Sequence, residues 1–193
     1  MVHGFADTGR LFRPLGRTLA ARGHSCHAPT LRPRDARLGI PDLSAKLAAY
    51  VDACLPAGEP AALVGFSMGA LVARHYLQSL GGALRCRAFF SIAGPHRGTY
   101  SARLYPGAGT RQMRPGSPFL VELEAGARGL GAFPVFTYRT PLDLMVRPAA
   151  TTRLPHAPEL VVWCPLHSLL PSHAPVMEHI AGELGRLATA PAP

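Results

Sequence analysis

The chain has 193 residues, 48% of them apolar, with 20 Gly, 20 Pro and a net charge of +9. That length suits a single domain with a sizeable core, and no apolar run approaches the roughly 20 residues of a membrane-spanning helix. Apolar segments alternating with amphipathic ones exclude a disordered chain, and a basic charge without a recognition motif or interleaved aromatics argues against a nucleic-acid partner.

The chain opens Met1-Val2-His3-Gly4-Phe5, with no basic leader and apolar core of a signal peptide. His-Gly-Phe reads as the turn that follows a central strand, yet only Met1 and Val2 remain for that strand, against about 5–6 residues in a typical one. The first strand is therefore expected to be truncated, leaving two strand edges open and the turn loosely held. The expectation is that this start lies downstream of the true one, or that the chain is a fragment. A chain beginning at Met1 would then show weak or no activity. It would be cytoplasmic unless a leader precedes it.

Leu11, Leu15 and Leu19 follow helical spacing after Asp7-Thr8-Gly9, and Gly23 ends the helix. Residues 25–28 read as a short strand and residues 30–39 as an Arg- and Pro-rich loop. A second helix spans about 42–54, with Leu43, Leu47, Tyr50, Val51 and Cys54 on one face. The apolar residues 61–64 read as a buried strand. They lead into Gly65-Phe66-Ser67-Met68-Gly69, and helix formers follow as far as Gly81-Gly82. Strand, G-x-S-x-G, helix is the context of a nucleophile elbow. Such a sharp turn lifts the serine hydroxyl from the top of a sheet, and the two glycines leave room where a Cβ would strike the neighbouring strand or helix. Residues 87–93 form the next strand. From 94 to 117 the periodicity vanishes, and an irregular lid or rim loop is expected. Ser117 caps a short helix with Pro118 in its first turn. Strands at 133–138 and 159–164 follow, then a last helix at about 174–187. Continuously apolar strands alternating with helices imply a mostly parallel sheet covered on both faces.

Open parallel sheets bind ligands beyond the carboxyl ends of their strands. The polar residues just past each strand are His3, Ser67, His96, Asp143 and His167. Ser67, Asp143 and His167 supply a nucleophile, a carboxylate and an imidazole in that chain order, the order of α/β-hydrolases. Serine needs a base to take its proton as it attacks a carbonyl carbon. Imidazole serves near neutral pH, and the carboxylate holds the imidazole in the right tautomer. The backbone N–H groups of Met68 and Phe5 are the natural oxyanion-hole donors. His173 and His179 fall at or inside the last helix and read as surface residues. His96 reads as structural or mouth-lining. Neither a metal site nor a cofactor motif is apparent: the four cysteines (26, 54, 86, 164) show no C-x-x-C. Cys26 and Cys164 fall in expected strands, where buried free thiols are the default.

These pieces resemble the small bacterial lipases and esterases of the α/β-hydrolase fold. The matching stretches are His3-Gly4-Phe5, the elbow, Ile92-Ala93-Gly94-Pro95-His96-Arg97-Gly98-Thr99, Leu142-Asp143-Leu144-Met145-Val146 and His167-Ser168-Leu169-Leu170. The resemblance implies a single hydrolase domain over 1–193 that cleaves carboxylic esters through Ser67, His167 and Asp143, with Phe5 and Met68 as oxyanion donors and no cofactor or metal. Phe66 stands where these lipases usually carry His, a tolerated change. Six arginines between 85 and 114, with no acidic residue among them, suggest a rim that meets an anionic lipid interface. Apolar residues near the mouth favour an acyl chain, in a lipid or small-molecule ester. The same triad would also suit a thioester, an amide or acyl transfer. If the start is genuine, a catalytically impaired basic binding domain is the other reading.

Overall fold

The computed structural model describes residues 1–56, 58–155 and 157–189. Four strands, β1 (Ala61–Phe66), β2 (Cys86–Ile92), β3 (Val135–Arg139) and β4 (Glu159–Val161), form a parallel sheet in the order β1-β2-β3-β4. Side chains alternate across it. Leu63 and Phe89 face helices α2 (Ile40–Cys54), α3 (Met68–Ser79) and α5 (Pro118–Ala125). Val64, Phe66, Phe90 and Ile92 face α1 (Arg13–Ala20) and α6 (Ala174–Thr189). Burial of each such large side chain favours folding by about 1.5–3 kcal/mol, so the two apolar clusters clamp the sheet from both sides. The architecture is the expected α/β-hydrolase fold.

The amino-terminal strand is reduced to one parallel bridge between Val2 and Gly65. Val2 N–H donates to Val64 O (2.8 Å), and Phe66 N–H donates to Val2 O (3.0 Å). On the other side the Met1 amine donates to His27 O (2.7 Å). Residues 25–28, expected as a strand, form no ladder. A groove of about 390 Å³ lies between the two edges, lined by Cys26, His27, Ala62 and Val64 among others. Cys26 is exposed here rather than buried, whereas Cys164 is buried as expected, just past β4; all four thiols are unpaired.

Residues 94–117 are more ordered than their composition suggests. They contain a 3-10 turn at Tyr100–Arg103 and a short helix, α4 (Ala108–Gln112). Gln112 Oε1 accepts from Ile40 N–H at the start of α2 (2.7 Å), and Met113 is buried in the core. Among the described residues, no helix is long and apolar enough to cross a membrane.

Candidate active site

The elbow has the geometry its sequence implies. Ser67 sits between β1 and α3 with φ 52° and ψ −123°. A non-glycine residue at positive φ costs on the order of 1–3 kcal/mol and persists only where its surroundings hold it. Here Ser67 N–H donates to Ile92 O (2.8 Å), and Ala70 N–H donates to Ser67 O (3.0 Å). A Cβ at Gly65 would lie 2.5 Å from Ala70 Cα, and one at Gly69 would lie 2.2 Å from Val2 O. Both glycines are therefore required by backbone approaching backbone.

The amino-terminal turn lies against Ser67. A Cβ at Gly4 would sit 3.3 Å from Ser67 Cβ, so the Phe5 amide is carried right beside the elbow. His3 is buried and fastens this turn: its Nε2 accepts from Leu31 N–H (2.9 Å), and its Nδ1–H donates to Gly4 O (2.8 Å). Met68 occupies the first position of α3, where an N–H has no carbonyl one turn back and the helix dipole favours negative charge.

Asp143 and His167 are brought together. His167 Nδ1–H donates to Asp143 Oδ2 at 2.7 Å, with the aspartate side chain 1% exposed and the histidine 12%. Asp143 Oδ1 is held by the amides of Met145 and Val146, both at 2.8 Å. The carboxylate can therefore present Oδ2 in one orientation only. Thr140 ties the two loops: its hydroxyl donates to Cys164 O (2.9 Å) and accepts from Cys164 N–H (3.3 Å). Ser67 stands on the same rim, although its hydroxyl makes no hydrogen bond within the described residues.

Phe66 bridges the two halves. It is buried, and its ring lies 4.7 Å from the His167 ring, centre to centre, with 37° between planes. The residue before the serine therefore forms the wall against which the imidazole rests, which its position in the motif alone gave no reason to expect. The profile of the alpha/beta hydrolase family matches residues 1–192. The chain belongs to this family. No curated protein matches it. Among solved structures, this hydrolase is similar to the mature lipase BlEst2 of Bacillus licheniformis, at 14% identity and a TM-score of 0.74 over 96% of this chain and 89% of that one. A pyrethroid hydrolase of Sphingobium faniae JZ-2 matches at 17% identity and TM-score 0.63, covering 98% and 96%. An extracellular alpha/beta-hydrolase from a Paenibacillus species matches at 13% and 0.64, covering 96% of each chain.

His96 and His179 are engaged elsewhere. His96 is buried and shares a hydrogen bond with Ser91 Oγ (2.7 Å); burial, with Arg74 adding to it, holds its imidazole well below the ordinary histidine range. His179, expected at the surface, is half-buried and bonds the Tyr138 hydroxyl at 2.9 Å. Two of the six arginines expected at the rim are elsewhere. Arg85 reaches Asp52 and Pro56 O, and Arg87 reaches Leu187 O, both at the amino end of β2. Those that remain on the far side of β2 are Arg97, Arg103, Arg111 and Arg114, and Arg147 joins them through Tyr100 N–H to Arg147 O (3.0 Å). Leu104, Tyr105, Leu144, Met145, Leu166 and Leu169 are exposed in the loops that carry Asp143 and His167 or adjoin Phe5.

Proposed function

We propose that this alpha/beta hydrolase cleaves carboxylic esters through Ser67, His167 and Asp143, by way of an acyl-enzyme. The observation that carries the reading is the His167–Asp143 hydrogen bond of 2.7 Å on a buried carboxylate, formed on the rim where a strained serine opens the elbow helix. With Nδ1–H committed to Asp143, the neutral imidazole presents Nε2 as an acceptor. As Ser67 Oγ attacks the carbonyl carbon, His167 Nε2 takes its proton and then returns it to the departing alcohol. The tetrahedral oxyanion lies between the amides of Met68 and Phe5, at the positive end of α3. Water attacks the acyl-enzyme by the same proton path in reverse.

The apolar residues exposed around this rim support an acyl chain in the substrate, and the four arginines past β2 together with Arg147 support an anionic lipid surface as its setting. A fluorophosphonate probe tests the core of the proposal. Ser67 should be labelled in the parent chain and left unlabelled in Ser67→Ala. An unlabelled parent, or a label that persists in Ser67→Ala, would refute it.

A further inference from the structure

The Arg- and Pro-rich loop at 30–39 docks on the amino-terminal turn and builds an open cleft of about 490 Å³ there, lined by Ala6, Arg32, Pro33, Arg34, Asp35 and Arg37. The cleft adjoins the oxyanion turn. Ala6 N–H donates to Arg34 O (2.9 Å), and Arg34 Nη1 donates to Ala6 O (3.1 Å), so the residue directly after Phe5 forms the wall. Three guanidinium groups face one carboxylate, leaving two positive charges in excess. Asp35 pairs with Arg37 alone, at 3.5 Å between two largely solvated side chains, an interaction too weak to neutralise the site. Lys46 adds positive charge behind the loop, its Nζ donating to Arg32 O (2.9 Å), although Asp42 (2.8 Å) offsets it.

We propose that this cleft is an anion subsite of the ester-binding site, selecting substrates that carry a carboxylate or phosphate close to the scissile ester. The inference rests on the ester-hydrolase reading. Consecutive Cα atoms are about 3.8 Å apart, so a carbonyl oxygen held at the Phe5 amide lies within roughly 8 Å of the cleft wall at Ala6. A spacer of about three or four carbons between carbonyl and anion spans that gap. Arginine suits the task because its planar fork meets carboxylate and phosphate oxygens in pairs. Arg34 is committed in part to Ala6, which leaves Arg32 and Arg37 as the freer cations.

The test compares kcat/KM for matched ester pairs. On the acyl side, the 4-nitrophenyl half-ester of glutaric acid is set against 4-nitrophenyl valerate. On the leaving-group side, 4-acetoxybenzoate is set against its methyl ester. One anionic member should be favoured about tenfold at low ionic strength, with the preference decaying as salt screens the cleft; the pair that shows it says on which side the anion sits. Arg32→Gln/Arg37→Gln should remove most of that preference, while Arg186→Gln, remote on α6, should keep it. Glutarate should also raise the melting temperature of the parent chain and not of the double variant, a readout that needs no turnover. Neutral esters cleaved as well as both anionic ones, or a preference indifferent to the double variant, would overturn the subsite. Loss of all turnover and labelling, with the glutarate effect intact, would instead strike the hydrolase reading alone.

Discussion

Gly69 is the point where the Ser67 turn and the amino-terminal segment meet, and Gly69→Ala tests whether that junction positions the proposed site. A Cβ there would stand 2.2 Å from Val2 O and 2.4 Å from His3 O, whereas ordinary contact begins at 3.4 Å. The variant must drive the two backbones apart by about 1.2 Å, the difference between those distances. Neither is free to yield. Val2 is bonded to β1 through both its N–H and its C=O, and His3 is fastened by Leu31 N–H. Overpacking of this kind costs about 1–3 kcal/mol. The same displacement carries the Phe5 amide away from Ser67, and a misplacement of about 1 Å costs on the order of 10²-fold in rate. Urea unfolding should therefore show a loss of about 1–3 kcal/mol, and hydrolysis of 4-nitrophenyl butyrate should show kcat reduced about a hundredfold. Gly182→Ala is the control. Gly182 lies exposed in α6 with no neighbour within 4 Å of where a Cβ would stand, and the change should stabilise the chain by about 0.5–1 kcal/mol. If Gly69→Ala kept both the parental kcat and the parental midpoint, the argument that this contact holds the oxyanion turn would be wrong.

Loss of the proposed nucleophile or base, in Ser67→Ala or His167→Ala, should lower kcat by about 10⁶-fold, and Asp143→Asn by about 10⁴-fold; near-full turnover in His167→Ala would sink the assignment. His96, held neutral by burial, makes stability depend on pH with a definite sign. The unfolded chain protonates this imidazole near pH 6.5 while the folded chain resists, so stability is complete above about 6.5 and falls as pH drops, by at most about 1.4 kcal/mol per unit for one proton. Urea midpoints at pH 7.5 and 5.0 should show the loss, and His96→Gln should shrink it; an unchanged slope would place its origin elsewhere. Arg74 is fully buried, its guanidinium donating to Leu123 O and Gln78 Oε1, both at 2.8 Å. Arg74→Ala removes one of the two donors to that carbonyl, the other being Gln78 Nε2 at 3.0 Å, and opens a cavity, and calorimetry should register a loss of about 2–4 kcal/mol.

How much of this was legible in the sequence depends on how local each cause is. The elbow was legible because its determinants lie within a few residues: an apolar strand, a serine between two glycines, then helix formers. That Ser67, Asp143 and His167 all follow strand ends of one parallel sheet was legible for a different reason, since such a sheet sends every strand end to the same side. What could not be read were contacts between distant segments. Phe66 and His167 meet across 100 intervening positions, and no pattern around Phe66 announces it. The arginine count between 85 and 114 misled because a linear window spans both ends of β2. Seven strand residues separate those ends by about 23 Å, so Arg85 and Arg87 serve the opposite rim. Arg32, Arg34 and Arg37 read only as part of an Arg- and Pro-rich loop, and the pairing of Ala6 with Arg34 shows them to be neighbours of the Phe5 turn.

The amino terminus is where local and non-local causes trade places. A two-residue strand supplies a single bridge, and on local grounds the turn after it should be loose. Three further tethers act on that turn from elsewhere in the chain: Leu31 N–H on His3, Arg34 on Ala6, and the close fit of Gly4 against Phe66 and Ser67. The first two belong to the basic loop, so the loop proposed to bind an anion also braces the turn that carries Phe5. The two roles separate experimentally. Arg34→Gln removes a brace and should lower kcat on neutral and anionic esters alike, whereas Arg32→Gln/Arg37→Gln should act on the ratio between them. If Arg34→Gln shifted only that ratio, the Arg34 guanidinium would be part of the anion site and the turn would be held by His3, Gly4 and the backbone bond from Ala6 N–H to Arg34 O.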